Sequence, residues 1–346
     1  MNKLTKVGCS ALCGSLAAVS AATAGDLAVT GGAHVTFMTK GGEVTGNPFG
    51  MASAVSFAGS GELDNGWSYG LAIDMTDGDA YSASRIHITM GGLGTIEFDQ
   101  GNSGNGIAAY DNVMPTAWEE SHGAGLSGGV KTVLGVGNSD NVQWSSPKIL
   151  GTEITLAYAF DKGTTDTNDK VTSDNNSEVG RGYDATVKIN PSLGTEILSG
   201  LNLYAGGSVV EVYDNANAFE DKYQGVGAIT YALGPVEIGW MVSGEYDGDE
   251  TGQDYHSYKN QGFGVAFNVN DDLSFSYGEY QTRKAGYTNS NVQGEEASRL
   301  IEVNSWQAAY TMGGASFRIA DVKADNVGFT VADNQKATVV SMGLAF

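Results

Sequence analysis

Large apolar side chains recur at every second position through most of this chain. In "WSYGLAIDM" they are Trp67, Tyr69, Leu71, Ile73 and Met75, separated by Ser68, Gly70, Ala72 and Asp74. "SRIHITM" sets Ile86, Ile88 and Met90 against Arg85, His87 and Thr89. "EITLAYAF" sets Ile154, Leu156, Tyr158 and Phe160 against Glu153 and Thr155, and "GYDATVKIN" sets Tyr183, Ala185, Val187 and Ile189 against Asp184, Thr186 and Lys188. Further runs place Val236, Ile238, Trp240 and Val242, then Phe263, Val265 and Phe267, then Trp306, Tyr310 and Met312, then Phe317 and Ile319 on one parity. A period of two sustained over so many segments is the pattern of strands, not helices. It predicts about sixteen strands; "GLNLYAGGSVVEVY" switches parity and is the least regular of them.

The connections come in two kinds that take turns. Short ones include "DNG", "GGLG", "LGP", "NDD" and "GG"; long polar ones include "DKGTTDTNDKVTSDNNSEVGR", "DNANAFED", "DGDETGQDYHSYKN" and "KAGYTNSNVQGEEAS". Strands with an apolar face and a polar face, joined alternately by short turns and long loops, fit a membrane β-barrel whose polar face lines the lumen. The same alternation also fits a soluble β-sandwich, in which the apolar face meets a second sheet. Aromatics near strand ends, such as Trp67 and Tyr246, favour the barrel because they match interfacial girdles.

The first residues change the compartment. Lys3 and Lys6 precede the mostly apolar run "VGCSALCGSLAAVSAA", and Ala22-Thr23-Ala24 is a small-x-small cleavage site. This is the layout of an export signal, so residues 1–24 are expected to be removed and 25–346 to form the barrel. Cys9 and Cys13 both fall in the leader, which leaves no thiol for disulfides or catalysis in the remainder. Past the leader no run is long and apolar enough for a membrane helix, so a membrane location requires a closed barrel.

Composition narrows function. With 50 Gly, 5 Pro and 33 aromatic residues (16 Tyr, 12 Phe, 5 Trp), the chain suits many strands and glycine turns. Eighteen basic against 40 acidic residues give a net charge of -22, which excludes a basic footprint for nucleic acid. Chemical motifs fail on context. "GAGLSG" at 123–128 opens no βαβ helix, "GGVKT" lacks the Gly-Lys-Thr of a phosphate loop, and His34, His87 and His256 have no common spacing. "EESH" (Glu119–His122) has three coordinating groups but no second cluster. No Ser/His/acid set stands out, and no enzyme is expected. The expected cofactor is none; acidic loops such as "DGDETGQD" offer oxygen ligands for a divalent cation, but the pattern is not an EF-hand and a solvated acidic loop is the safer reading.

One connection breaks the rhythm. After "GGLGTIEFDQ", which puts Ile96 and Phe98 on one face and Glu97 and Asp99 on the other, about forty residues pass before "DNVQWSSPKILG". A connection of that length is functional or disordered, and Ile107, Tyr110, Met114, Trp118 and Leu126 give it apolar anchors.

The leader, "GGLGTIEFDQG", the long loop, "NVQWSSPKILG", a late "ADN" and the final Phe346 together resemble an alphaproteobacterial general porin over essentially the whole mature chain. The resemblance implies an all-β, sixteen-stranded homotrimer in the outer membrane, with short periplasmic turns and long extracellular loops. It implies that the third loop folds into the lumen and sets loop acids, here Asp111, Glu119 and Glu120, against wall bases. By parity Arg85 is the first wall candidate, with Lys188 and Arg318 also inward. Asp74, Glu97, Asp99, Glu153, Asp184 and Glu237 outnumber these bases on the inward face, so cation preference is expected. Arg85 pairing with Asp74, and Glu119 and Glu120 forming a solvated loop face, are competing structural readings. The implied partners are outer-membrane lipids, lipopolysaccharide, small hydrophilic solutes and, through Phe346, the outer-membrane assembly machinery. The expected function is passive diffusion; a substrate-selective channel of the same fold and a secreted acidic β-rich adhesin are the alternatives.

Overall fold

The computed structural model describes residues 26–44, 46–77, 82–101, 104–162, 179–191, 196–212, 221–247, 254–288 and 296–346. The expected leader, 1–24, lies outside the described residues, as does most of "DGDETGQD". Sixteen strands follow in order: β1 Asp26–Lys40, β2 Phe49–Glu62, β3 Ser68–Thr76, β4 Ala83–Thr89, β5 Thr95–Gln100, β6 Asn141–Ser145, β7 Thr152–Ala159, β8 Val179–Ile189, β9 Leu201–Val212, β10 Lys222–Leu233, β11 Val236–Asp247, β12 Asp254–Asn268, β13 Leu273–Thr288, β14 Glu296–Met312, β15 Ala315–Asp325 and β16 Gln335–Ala345. Each pairs antiparallel with its sequence neighbours, and β16 returns to β1, so the sheet is a closed barrel with no free edge.

The pleat explains the sequence pattern. Leu71, Ile86, Phe98, Ile154, Leu156, Trp240, Phe263, Trp306, Phe317 and Met342 stand exposed on the outer wall. Ser208, Gln224, Thr230, Ser243, Asn260, Ser276, Thr282, Ser305, Gln307 and Ser341, on the opposite parity, are buried inside. An apolar outside with a polar inside is the inverse of a soluble domain and the arrangement of a barrel in lipid.

The β1–β16 seam is closed by backbone bonds beyond the last strand residue. The Phe346 N–H donates to Gly31 O at 2.9 Å and the Gly31 N–H donates to Phe346 O at 3.2 Å. Gly31 is required by contact, since a Cβ there would lie 2.9 Å from both the Phe346 ring and the Ala54 carbonyl oxygen.

The end of the barrel carrying the β1 start has mostly short turns, down to two residues at Gly234–Pro235 and Gly313–Gly314. One connection there, 190–200, is longer and contains a single helical turn, Glu196–Ser199. At the opposite end two expected loops are shorter than the sequence suggests. "DYHSYKN" belongs to β12 and "KAGYT" to β13, because strand pairing continues into these polar segments. The wall height is uneven: β4, β5 and β6 have 7, 6 and 5 residues, whereas β13 and β14 have 16 and 17.

The irregular strand is β9, and its register supplies the reason. Leu203 and Val209 are on the outward parity, but Tyr204 and Val210 point inward, where Tyr204 packs edge-on against Tyr110 of the long loop at 5.2 Å.

Candidate functional site

The long loop between β5 and β6 lies inside the barrel, and the inward polar side chains hold its backbone. At its base, one carboxylate oxygen of Asp184 accepts the N–H groups of both Ile107, at 2.8 Å, and Val136, at 3.1 Å. Each donor follows a glycine in the left-handed region, Gly106 at φ 60° and Gly135 at φ 49°. A Cβ on either would sit 2.1 Å from the same Asp184 oxygen, so glycine serves both the turn and the approach. Gln143 Oε1 accepts from Gly106 N–H at 2.8 Å, and Gln224 Oε1 from Leu134 N–H at 3.0 Å and Gly135 N–H at 2.6 Å. Further on, Ser276 Oγ accepts from Ala117 N–H at 2.9 Å, and Gln307 Oε1 from Trp118 and Glu119 N–H at 3.2 and 3.0 Å. A buried loop must satisfy its backbone donors, and here the wall does so.

Apolar contacts hold the rest. Ile107, Met114 and Val133 pack with inward Val226, Ala228, Met241 and Tyr280. Ala124 and Leu126 pack with inward Ile301, Val303, Ala320, Val322, Ala324 and Ala337. Inside β14–β16 the wall is therefore apolar on both faces at this level, as expected where a sheet is covered on both sides.

The three loop acids come together. Glu119 is pushed up to about 7 by burial first, then by Glu120, against the opposing charge of Arg318. Asp111 is pushed up to about 6 by burial and by Glu120, against the Asn112 N–H bond. Glu120 thus acts on both neighbours. His122 lies 4.7 Å from the Tyr280 ring, and burial lowers its basicity. Among the described residues no group of three or more His, Cys, Asp or Glu side chains is placed to hold a metal ion, so Glu119, Glu120 and His122 do not converge on one.

Of the wall residues, Asp74, Arg85 and Arg318 line one lumen cavity of about 450 Å³. The Arg318 guanidinium lies 5.9 Å from the Trp118 ring, which places it beside the acidic stretch of the loop. Asp74 is opposite Ala83 rather than Arg85 in the register, and among the described residues these two form no ion pair. Asp99 is buried and shares a second recess with Arg85, Asp140 and Asn141. Glu97 lies opposite His87 and Gln143. Lys188 is inward but apart from this group, opposite Glu153 and with its Nζ 5.2 Å from the Tyr204 ring. Asp184, expected on the inward face, is there and serves as the clasp of the loop. Gln143, Gln224, Ser276 and Gln307 carried no motif that would have revealed their roles.

The fold has close counterparts among solved structures. It matches the anion-selective porin from Comamonas acidovorans with a TM-score of 0.64 at 11% identity, covering 93% of this chain and 99% of that one. OmpT, an outer membrane protein of Vibrio cholerae, matches with a TM-score of 0.65 at 9% identity over 92% and 97% of the two chains. A mutant of the Rh. blastica porin matches with a TM-score of 0.53 at 13% identity over 93% and 100%. No curated protein sequence matches significantly. The model of the Gram-negative porins matches residues 8–298, most of the length, and the chain belongs to that family.

Proposed function

We propose that this outer-membrane channel is a general diffusion porin, passing ions and small hydrophilic solutes down their gradients with preference for cations and with no catalytic step. The observation that carries the reading is the gathering of Asp111, Glu119 and Glu120 on a loop pinned inside the barrel, with Arg318 as the cation acting on Glu119. Carboxylates in a narrow, low-dielectric passage attract counter-ions and repel anions. Asp74, Arg85 and Arg318 on the cavity wall, with Glu97 and Asp99 on β5, complete the lining; Lys188 serves at the turn end. The anion selectivity of the Comamonas protein does not transfer, because a likeness at 11% identity concerns the fold.

Residues 1–24 act as a cleaved export signal in this reading, and the working form is a homotrimer. The low wall at β4–β6 supports the trimer. There a recess of about 300 Å³ is lined by lumen residues Arg85 and Asp99 together with outer-wall residues Ile86, Phe98 and Val142. A neighbouring copy would seal that notch from lipid. Lipopolysaccharide surrounds the extracellular rim.

The test is reconstitution in a planar bilayer under a KCl gradient. Stepwise conductance with a reversal potential on the potassium side is expected. An anion-side reversal potential would overturn the selectivity, and no steps would overturn the channel.

A further inference from the structure

Three cations meet around two aromatic rings at the loop end of the lumen, away from the acids. The register sets Tyr258, Lys284 and Arg299 directly opposite one another across β12, β13 and β14. They share the inward parity of Asn260, Thr282 and Ile301, which are buried inside the barrel. Phe329, from the connection between β15 and β16, stands by this row. Its ring is 6.0 Å from that of Tyr258, the Lys284 Nζ is 5.9 Å from it, and Arg299 Nη1 donates to its carbonyl oxygen at 3.0 Å. From the long loop, Lys131 brings its Nζ to 5.5 Å from the Tyr258 ring. Its backbone is fixed to the wall: the N–H donates to Thr282 Oγ1 at 3.2 Å and the carbonyl accepts from Tyr280 OH at 3.3 Å.

None of these cations forms an ion pair among the described residues. The next acid in the row, Glu245 opposite Tyr258, is engaged by Lys222 at 3.9 Å and by Gln224. In a chain with 40 acidic and 18 basic residues, a cluster of three cations with no carboxylate partner among the described residues calls for a ligand. Aromatic faces orient the cations without neutralising them.

We propose that Lys131, Lys284 and Arg299 form a binding site for soluble oxyanions, phosphate or small carboxylates, at the extracellular mouth. The guanidinium fork supplies paired donors to two oxygens, and the two ammonium groups supply point charges around a third. Position gives the site its consequence. Along β13 the loop contact of Ala117 is Ser276 and that of Lys131 is Thr282, six residues (282 less 276) nearer the mouth. That is about 20 Å along the strand. An anion arriving from outside meets the cations first and the carboxylates of the constriction after them, so it dwells at the mouth and obstructs current.

The site rests on the channel reading, and one experiment separates the two. Single-channel current is recorded in about 0.1 M KCl, where screening leaves nearby charges effective, in a bilayer free of lipopolysaccharide, with inorganic phosphate added to either side. Phosphate is expected to interrupt the current from one side only. Lys284→Gln with Arg299→Gln should raise the half-blocking concentration at least about tenfold and Lys131→Gln about threefold, with phosphate-free conductance kept within about twofold as proof of folding. Equal block from both sides, or equal block of wild type and variants, would overturn the site. KCl steps with no phosphate effect would overturn it while leaving the channel reading intact; no steps at all would overturn both. Sensitivity that disappears when lipopolysaccharide is added to the bilayer would assign the cations to a lipid phosphate and overturn the soluble-ion proposal.

Discussion

The Asp184 carboxylate accepts the backbone N–H of Ile107 at 2.8 Å, and the same oxygen takes Val136 N–H from the other leg of the loop. A side chain on β8 thereby closes the base of the lumen loop. Hydrogen bonds to a charged acceptor contribute about 1.5–3 kcal/mol each, so Asp184→Ala should loosen this base by about 3 kcal/mol or more while the sixteen-stranded wall persists. Amide exchange at Ile107 and Val136 should accelerate about a hundredfold, a tenfold change corresponding to about 1.4 kcal/mol. Unchanged exchange would show that the glutamine contacts hold the base without Asp184.

A pH response follows from the loop acids. Burial raises Glu119 to about 7 and Asp111 to about 6, so both are neutral in acid and charged in alkali. The proposed preference for cations should therefore be greatest above about pH 8 and fall as both groups protonate on the way to about pH 5. The sign for loop stability is the reverse. Folded values above the unfolded ones make acid the stabilising condition, and that contribution is lost as pH rises through 6 and 7. Glu119→Gln should remove the upper part of the selectivity transition; a pH-independent reversal potential would contradict the assignment.

Arg318 offsets the Glu119 carboxylate from the wall of the same lumen. Arg318→Gln should increase the cation-to-anion permeability ratio, by about two- to fivefold if its coupling to the passing ion is near 0.5–1 kcal/mol. Glu120→Gln should move the ratio the other way. Reversal potentials of the two variants shifting in the same direction would show that they do not act on one field.

The barrel was legible because lipid enforces alternation, and Ile154 and Leu156 on one face of β7 illustrate how directly. The interior was less so. Gln307 and Glu119 are bonded across 188 positions of sequence, and a glutamine that accepts two loop N–H groups has no local signature. Apolar residues on the inner parity, such as Val303 and Val339, did carry a signal: beside outward Val340, Val339 makes β16 apolar on both faces, which means covering on both sides. Period two identifies the wall, while breaks in it locate the loop. Parity places Asp184 inward but does not separate a lumen acid from a loop clasp.

The apolar dock makes a separate prediction from the hydrogen-bonded base. Leu126 is buried with Ile301, Val303 and Val322, and Gly128 approaches Val303 so closely that a Cβ would lie 2.9 Å from its methyl carbon. The Gly128 carbonyl also accepts Gly328 N–H at 2.8 Å, which ties the loop to the β15–β16 connection. Leu126→Ala should cost about 2–4 kcal/mol of local stability through lost burial and the void left behind. Because Asp184 still holds the base, the loop should detach at this end only. Channels should then show added current noise and faster flicker with little change in mean conductance, and limited proteolysis near Ser127 should become measurable. Noise and proteolysis equal to wild type would mean that the Gly128–Gly328 bond, rather than apolar packing, holds this part of the loop.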